Sequence, residues 1–201
     1  MPSRSSSTSS RWVDPPLPEL GDQDEKEVWA AVGQALSAWA GLEQEFGRLF
    51  AAFVTPDRWL PQIERAYGAI RTFEARQDMV RAAAEAYFAN FDLDFDQGGK
   101  EFRDIMKEVK EACRVRNNIA HGHVNLYPNK PDNIEYCLFP SYFDTPRRDK
   151  DNVAKFVYNS EIISIFGMQF TELCKPIFDL TLSIVDRRKI SRQRFPLRPP
   201  W

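Results

Sequence analysis

EKEVWAAVGQALSAWAGLEQEFGRLFAAF, residues 25–53, decides the fold class. Trp29, Val32, Leu36, Trp39, Glu43, Phe46, Phe50 and Phe53 recur at spacings of three and four. That period lays them along one face of a long helix. Thr55-Pro56 stops it, because proline lacks the N–H and clashes with the preceding turn. Working outward, a second helical stretch follows Pro61 and runs to about Phe88, with Ile63, Tyr67, Ile70, Phe73, Val80, Ala84 and Tyr87 on its face. FDLDFDQGG, from Phe91 to Gly99, reads as a loop. A third helix covers Lys100 to His121, and Gly122 stands where a helix stop is favoured.

Beyond Gly122 the pattern changes. Val124–Tyr127, Ile134–Phe139 and Val153–Tyr158 are short, aromatic and β-branched, with Pro, Asn and Asp between them. They read as an antiparallel hairpin or a three-strand meander. A last helix begins near Asn159 or Ser160, either of which can cap it. Its face is Ile162, Phe166, Phe170, Leu173, Ile177, Leu180 and Ile184, and Pro176 is expected to kink it. The expectation is an all-α protein: a bundle of about four helices, with a small β insertion at about 123–158 before the last one.

The ends differ from the body. Residues 1–21 are rich in Ser and Pro and read as a disordered tail. Residues 191–201, SRQRFPLRPPW, read as a basic, Pro-rich tail, leaving 22–190 as the helical domain. Of 27 basic residues, eight lie in 1–11 and 187–201, which hold no acid. Residues 12–186 therefore set 19 bases against 29 acids, a net charge of −10. An acidic body excludes a protein that binds nucleic acid over its whole surface, so any such contact needs a local patch. With 43% hydrophobic and 28% charged residues the chain is globular in composition. It holds no apolar run near the ~18 residues of a membrane helix, and its N-terminus lacks the apolar segment of a secretory leader. Cys113, Cys137 and Cys174 lie far apart with no C-x-x-C pair. That argues against a disulfide framework or a cysteine zinc site and for a reducing, cytoplasmic setting.

Two charges stand on apolar faces. Glu43 interrupts the stripe of the first helix. In the third helix, projected at about 100° per residue, Ile105, Met106, Val109, Ala112, Cys113, Val115, Ile119 and Ala120 form an apolar arc with Arg116 at its centre. An unpaired buried charge costs several kcal/mol, so Arg116 needs a partner or an aqueous cleft. Two readings stand open: a buried Glu43–Arg116 pair that fixes helix register, or an Arg116 that faces a ligand while Glu43 orients it. Beside the arc, Lys110, Arg114, Asn117 and His121 share one polar edge at spacings of 4, 3 and 4. Cations and an imidazole together suit an anionic phosphate; a solvated helix edge is the plainer reading.

Arg116-Asn117-Asn118-Ile119-Ala120-His121 resembles the Arg–(about four to six residues)–His motif of HEPN domains, with a polar residue directly after the Arg. The string RNNIAHG and the first-helix segment WAGLEQEFGRLF are similar to forms found among bacterial HEPN-like proteins. The resemblance spans roughly residues 25–190. It implies an all-helical bundle, with the motif near the end of a late helix, that dimerises and places two motifs across one cleft. It also implies metal-independent endoribonuclease chemistry: His121 as acid/base, Arg116 as phosphate clamp and Asn117 as orienting residue; Lys110 and Arg114 on the polar edge, with His123, are then the expected substrate contacts. RNA is then the substrate, a toxin or defence role follows by analogy, and an antitoxin or regulatory protein is the expected partner. One branch of the family carries Tyr two residues after the motif His, where this chain has His123; His123 reads either as a second titrating group or as the first residue of a strand. The alternative function is a non-catalytic HEPN-like interaction or regulatory module.

No cofactor or metal is expected. Asp92, Asp94 and Asp96 alternate like a calcium loop, but Gln97 and Arg103 stand where its Gly and closing Glu belong. No phosphate-cradling Gly loop or Ser/His/Asp set is present.

Overall fold

Five helices and one antiparallel hairpin make up the regular structure of the described residues, in the order α1 (Glu25–Val54), α2 (Pro61–Ala69), α3 (Phe73–Asn90), α4 (Gly98–His121), β1 (Gly122–Leu126), β2 (Tyr136–Pro140) and α5 (Ser160–Arg194). The structure, a computed structural model, describes residues 11–55, 60–90, 98–128, 134–143, 147–148 and 153–194. The protein is mostly helical, in agreement with the all-α expectation. Among the described residues no helix is long and apolar enough to cross a membrane.

The chain forms two compact units. One takes the residues up to Ala38 together with Lys110–Gln169; the other takes Trp39–Val109 and the residues from Phe170 onward. Helices α1, α4 and α5 contribute to both.

The first unit is built around the hairpin. β1 pairs with β2 in the register Gly122↔Pro140, Val124↔Leu138 and Leu126↔Tyr136. Of the two expected forms, the hairpin is the one present; 153–158 add no third strand. Tyr158 instead exchanges a single backbone pair with Leu138, at 2.7 and 3.0 Å, and Asp22 does the same with Tyr136, at 2.9 and 2.8 Å. Tyr136 and Leu138 are two apart and present their backbone groups to the same edge of β2. Two isolated bridges therefore cover an edge that a full strand would otherwise occupy. Asn159 caps α5 as expected, its Oδ1 accepting from the Ile162 N–H at 3.0 Å. Asp22 adds a second acceptor for the same helix start, at 2.7 Å from the Ser160 N–H.

Residues 11–21 depart from the expected disordered tail. Trp12 is 1% exposed and Pro18 is buried. Tyr127 donates to the Pro18 carbonyl at 2.7 Å, and the Gly21 N–H donates to Glu135 at 2.9 Å. The segment is Ser- and Pro-rich on average, but one buried Trp and a few backbone bonds suffice to hold it.

The second unit is an aromatic core. Phe53 meets Tyr87, Phe88 and Phe102 with ring centroids 5.4–5.8 Å apart. Trp39 meets Phe73 and Phe170 edge to face at 4.8 and 5.4 Å. The expected continuous helix from Pro61 to Phe88 is broken into α2 and α3. Ile70 is extended (φ −75°, ψ 121°), and the Arg76 Nε donates to its carbonyl at 2.9 Å. Thr72 Oγ1 then caps α3 by accepting from the Ala75 N–H at 3.3 Å.

Two further expectations shift. Trp29 is 50% exposed, and Val28, Ala31 and Ala35 carry the buried face there instead. α5 runs through Pro176 and takes in residues 191–194 of the expected tail. Residues 195–201, and the 91–97 part of the expected loop with Asp92, Asp94 and Asp96, lie outside the described residues.

Candidate functional site

The Arg-Asn-x-x-x-His stretch occupies the last turn and a half of α4, in the first unit. The helix ends where it does because of Gly122. A Cβ there would lie 2.7 Å from Leu138 Cγ and 3.0 Å from the Asn118 carbonyl oxygen. Only glycine lets the chain pass from helix directly into β1 against buried Leu138. His121 is therefore the last helical residue and His123 the second residue of a strand.

On the helix, Ile105, Met106, Val109, Ala112, Val115 and Ile119 of the arc are buried, while Cys113 is half-buried and Ala120 exposed. Arg116, at the arc's centre, is only half-buried. Its Nη1 donates to the Asn117 Oδ1 at 2.8 Å, so the neighbouring side chain holds the guanidinium. Asn117 in turn sits 3.9 Å from Cys113 Sγ through its Nδ2. His121 is exposed and, among the described residues, makes no hydrogen bond or ion pair. His123 is half-buried, its ring 6.4 Å from that of its register partner Phe139. Lys110 is exposed.

Arg114 is engaged from the N-terminal segment. Its Nη1 lies 2.6 Å from Asp14 Oδ2, and its Nη2 donates to the Trp12 carbonyl. The other Asp14 oxygen accepts from the Tyr158 hydroxyl, which accepts from Asn118 Nδ2 at 3.1 Å. Asn118, Tyr158, Asp14 and Arg114 thus form one hydrogen-bonded chain beneath the motif. Burial, then the hydrogen bond given to Asp14, raises the Tyr158 pKa above the ordinary tyrosine value. The hydroxyl stays protonated and remains a donor. The sequence reading missed Asp14, Asn118 and Tyr158. The one local signal was Trp12-Val13-Asp14, an apolar and acidic group inside a Ser/Pro-rich run.

Glu43 belongs to the second unit, where both carboxylate oxygens are engaged. Oε1 accepts from Trp39 Nε1 at 2.6 Å, and Oε2 accepts from Arg76 Nη1 at 2.9 Å. Its charge on an apolar stripe is answered inside its own unit. Among the described residues no three His, Cys, Asp or Glu side chains are placed to hold a metal ion.

The first unit thus presents an exposed imidazole and a half-buried guanidinium five residues apart on one helix, roughly 7.5 Å along its axis. A guanidinium can bind and stabilise an anionic oxygen, and an imidazole can take or give a proton near neutral pH. Compared with protein-family models, curated proteins and solved structures, the chain finds no match.

Proposed function

We propose that the protein is a HEPN-like, metal-independent endoribonuclease acting as a dimer, with Arg116, Asn117 and His121 at the reacting phosphate. The substrate's 2′-OH attacks the adjacent phosphorus and the 5′-oxygen leaves, giving a 2′,3′-cyclic phosphate. His121 moves the protons, and Arg116 stabilises the charged phosphorane. The observation that carries the reading is the 2.8 Å bond from Arg116 to Asn117, five residues before an exposed His121 that makes no hydrogen bond or ion pair among the described residues. That is a cation held in place and a base left available. Cys113, Cys137 and Cys174 are free thiols, in keeping with work in the cytoplasm. A toxin or defence role, with a neutralising partner protein, goes with this reading by analogy.

A second reading is favoured by Asp14. It holds Arg114, one of the cations offered for phosphate, at 2.6 Å. A polar edge already answered from within suits a non-catalytic interaction module.

The test is to incubate the full chain and His121→Ala with mixed RNA in excess EDTA and to map the product ends. Cleavage leaving 2′,3′-cyclic phosphates, reduced by ~10²–10⁴ in the variant, supports the ribonuclease. A folded dimer that leaves RNA intact supports the module.

A further inference from the structure

A cleft in the second unit holds two hydrogen-bond donors that no described residue answers. Its volume is about 340 Å³, at the small end of the ~300–1,000 Å³ of ligand sites. Glu43, Gln44, Arg48, Glu64, Tyr67 and Arg76 line it. Tyr67 is 6% exposed, and its hydroxyl has no hydrogen-bond partner. Burial raises its pKa above the ordinary tyrosine value, against an opposing pull from Arg76, so the hydroxyl keeps its proton and acts as a donor.

The ring that carries this hydroxyl is fixed. A Cβ on Gly47 would lie 3.2 Å from it, so Tyr67 rests flush on the α1 backbone, and Phe50 stacks on it at 5.7 Å. The Arg76 guanidinium lies 5.4 Å from the ring centroid. Arg76 Nε is spent on the Ile70 carbonyl and Nη1 on Glu43. Nη2 has no acceptor among the described residues. Of the two, the Tyr67 hydroxyl is the buried one; a buried donor left unmet costs stability, and native structures rarely keep one without use.

Two donors carried by residues that line one cleft call for an acceptor, best an anionic oxygen. The walls narrow the choice. Glu43 is paired with Arg76 and Arg48 with Glu45, and Glu64 adds a further carboxylate, so the walls present both signs of charge. A lone anion would face the carboxylates and a lone cation the guanidiniums; phosphate, carrying more charge, fits worse still. We infer that this cleft binds a small zwitterion of the α-amino acid class, its carboxylate taking the Tyr67 hydroxyl and Arg76 Nη2 and its ammonium facing Glu64. The inference is independent of the ribonuclease reading, since the site lies in the unit without the motif.

The test is calorimetric titration of the full chain with each common amino acid, with acetate, methylamine and inorganic phosphate as controls. At least one amino acid should bind with Kd below ~1 mM, and the three controls should not. Tyr67→Phe should weaken that binding by ~10-fold or more, while raising the melting temperature of the unliganded protein by ~2–4 °C. Loss of binding together with a gain in stability cannot come from misfolding. Glu64→Gln should also weaken binding. The proposal is overturned if no amino acid binds, if phosphate binds as tightly, if Tyr67→Phe binds like wild type, or if that variant is less stable unliganded.

Discussion

Asp14 and Arg114 are a hundred residues apart in the chain and 2.6 Å apart in the fold. The same carboxylate accepts from the Tyr158 hydroxyl, so one side chain pins the N-terminal segment to both α4 and the approach to α5. Asp14→Ala removes both bonds. The Arg114 and Asp14 side chains are 40% and 30% exposed, so that ion pair contributes at most ~1 kcal/mol after solvent screening. Tyr158 is fully buried, and its hydroxyl, still accepting from Asn118 but left with no acceptor for its own proton, costs ~1–3 kcal/mol. Urea unfolding should therefore show a loss of about 2 kcal/mol for Asp14→Ala and less for Arg114→Gln. Hydrogen exchange should speed up in residues 11–24 of both. Equal losses in the two variants would sink the argument that Tyr158 carries the larger share.

Stability should fall on the alkaline side, in two separable steps. Burial first, then the nearby charges of Asp22 and Glu135, push the Cys137 thiol from 9.0 up to about 12. Burial and the bond to Asp14 hold Tyr158 above its ordinary 10.0. Each group binds its proton more tightly folded than unfolded. Above the unfolded value the unfolded chain deprotonates first, so folding stability drops as pH rises. Below pH 9 both contributions are fully present. Denaturant midpoints measured from pH 8 to 11 should decline from about pH 9. Cys137→Ala should shrink the earlier part of that decline, leaving the share of Cys174, whose pKa burial also raises from 9.0, and should leave the later part, which begins near 10.0 and belongs to Tyr158 and Tyr67. A profile identical to wild type would show that the thiol does not titrate on unfolding.

How far the sequence carried can be read along α1. In its second half the three-four period names the buried residues correctly: Trp39, Phe46, Phe50 and Phe53. In its first half the same period selects Trp29, Val32 and Leu36, while Val28, Ala31 and Ala35 are the buried set. Gly167 explains the slip: a Cβ there would lie 3.3 Å from Ala35 Cα. Where backbones cross that closely, small residues take the interface and bulky ones turn outward. A pattern that weights bulk selects the wrong edge. The motif helix was legible because its arc is strongly apolar and Asn117 adjoins Arg116. Asp14 was not, because nothing local marks a contact across a hundred residues.

Gly122→Ala should damage the junction of α4 and β1. The added Cβ would stand 2.7 Å from Leu138 Cγ, a branch carbon inside a fully buried side chain that has no room to swing away. Overpacking of this kind costs ~1–3 kcal/mol. Leu138→Ala in the same chain opens the space. The double variant should therefore be less destabilised than the sum of the two single ones, the signature of direct coupling. Additive losses would mean that the glycine serves some other purpose than clearance from Leu138.

Asn117 should matter to chemistry more than to stability. It is half-buried, and its Oδ1 accepts from the Arg116 guanidinium at 2.8 Å. Asn117→Ala removes one hold on the Arg116 guanidinium, with a change in unfolding free energy within ~0.5 kcal/mol. If the guanidinium clamps a reacting phosphate, a misplacement on the order of 1 Å reduces kcat by ~10²-fold. RNA cleavage in EDTA should therefore fall far more than stability, mainly in kcat. Asn117→Asp keeps an acceptor and adds a charge-assisted bond, so it should recover part of the lost rate. A clamp predicts that order, wild type above Asp above Ala. If cleavage is indifferent to residue 117, Arg116 is not oriented by its neighbour, and the 2.8 Å bond is only a way of satisfying a half-buried cation.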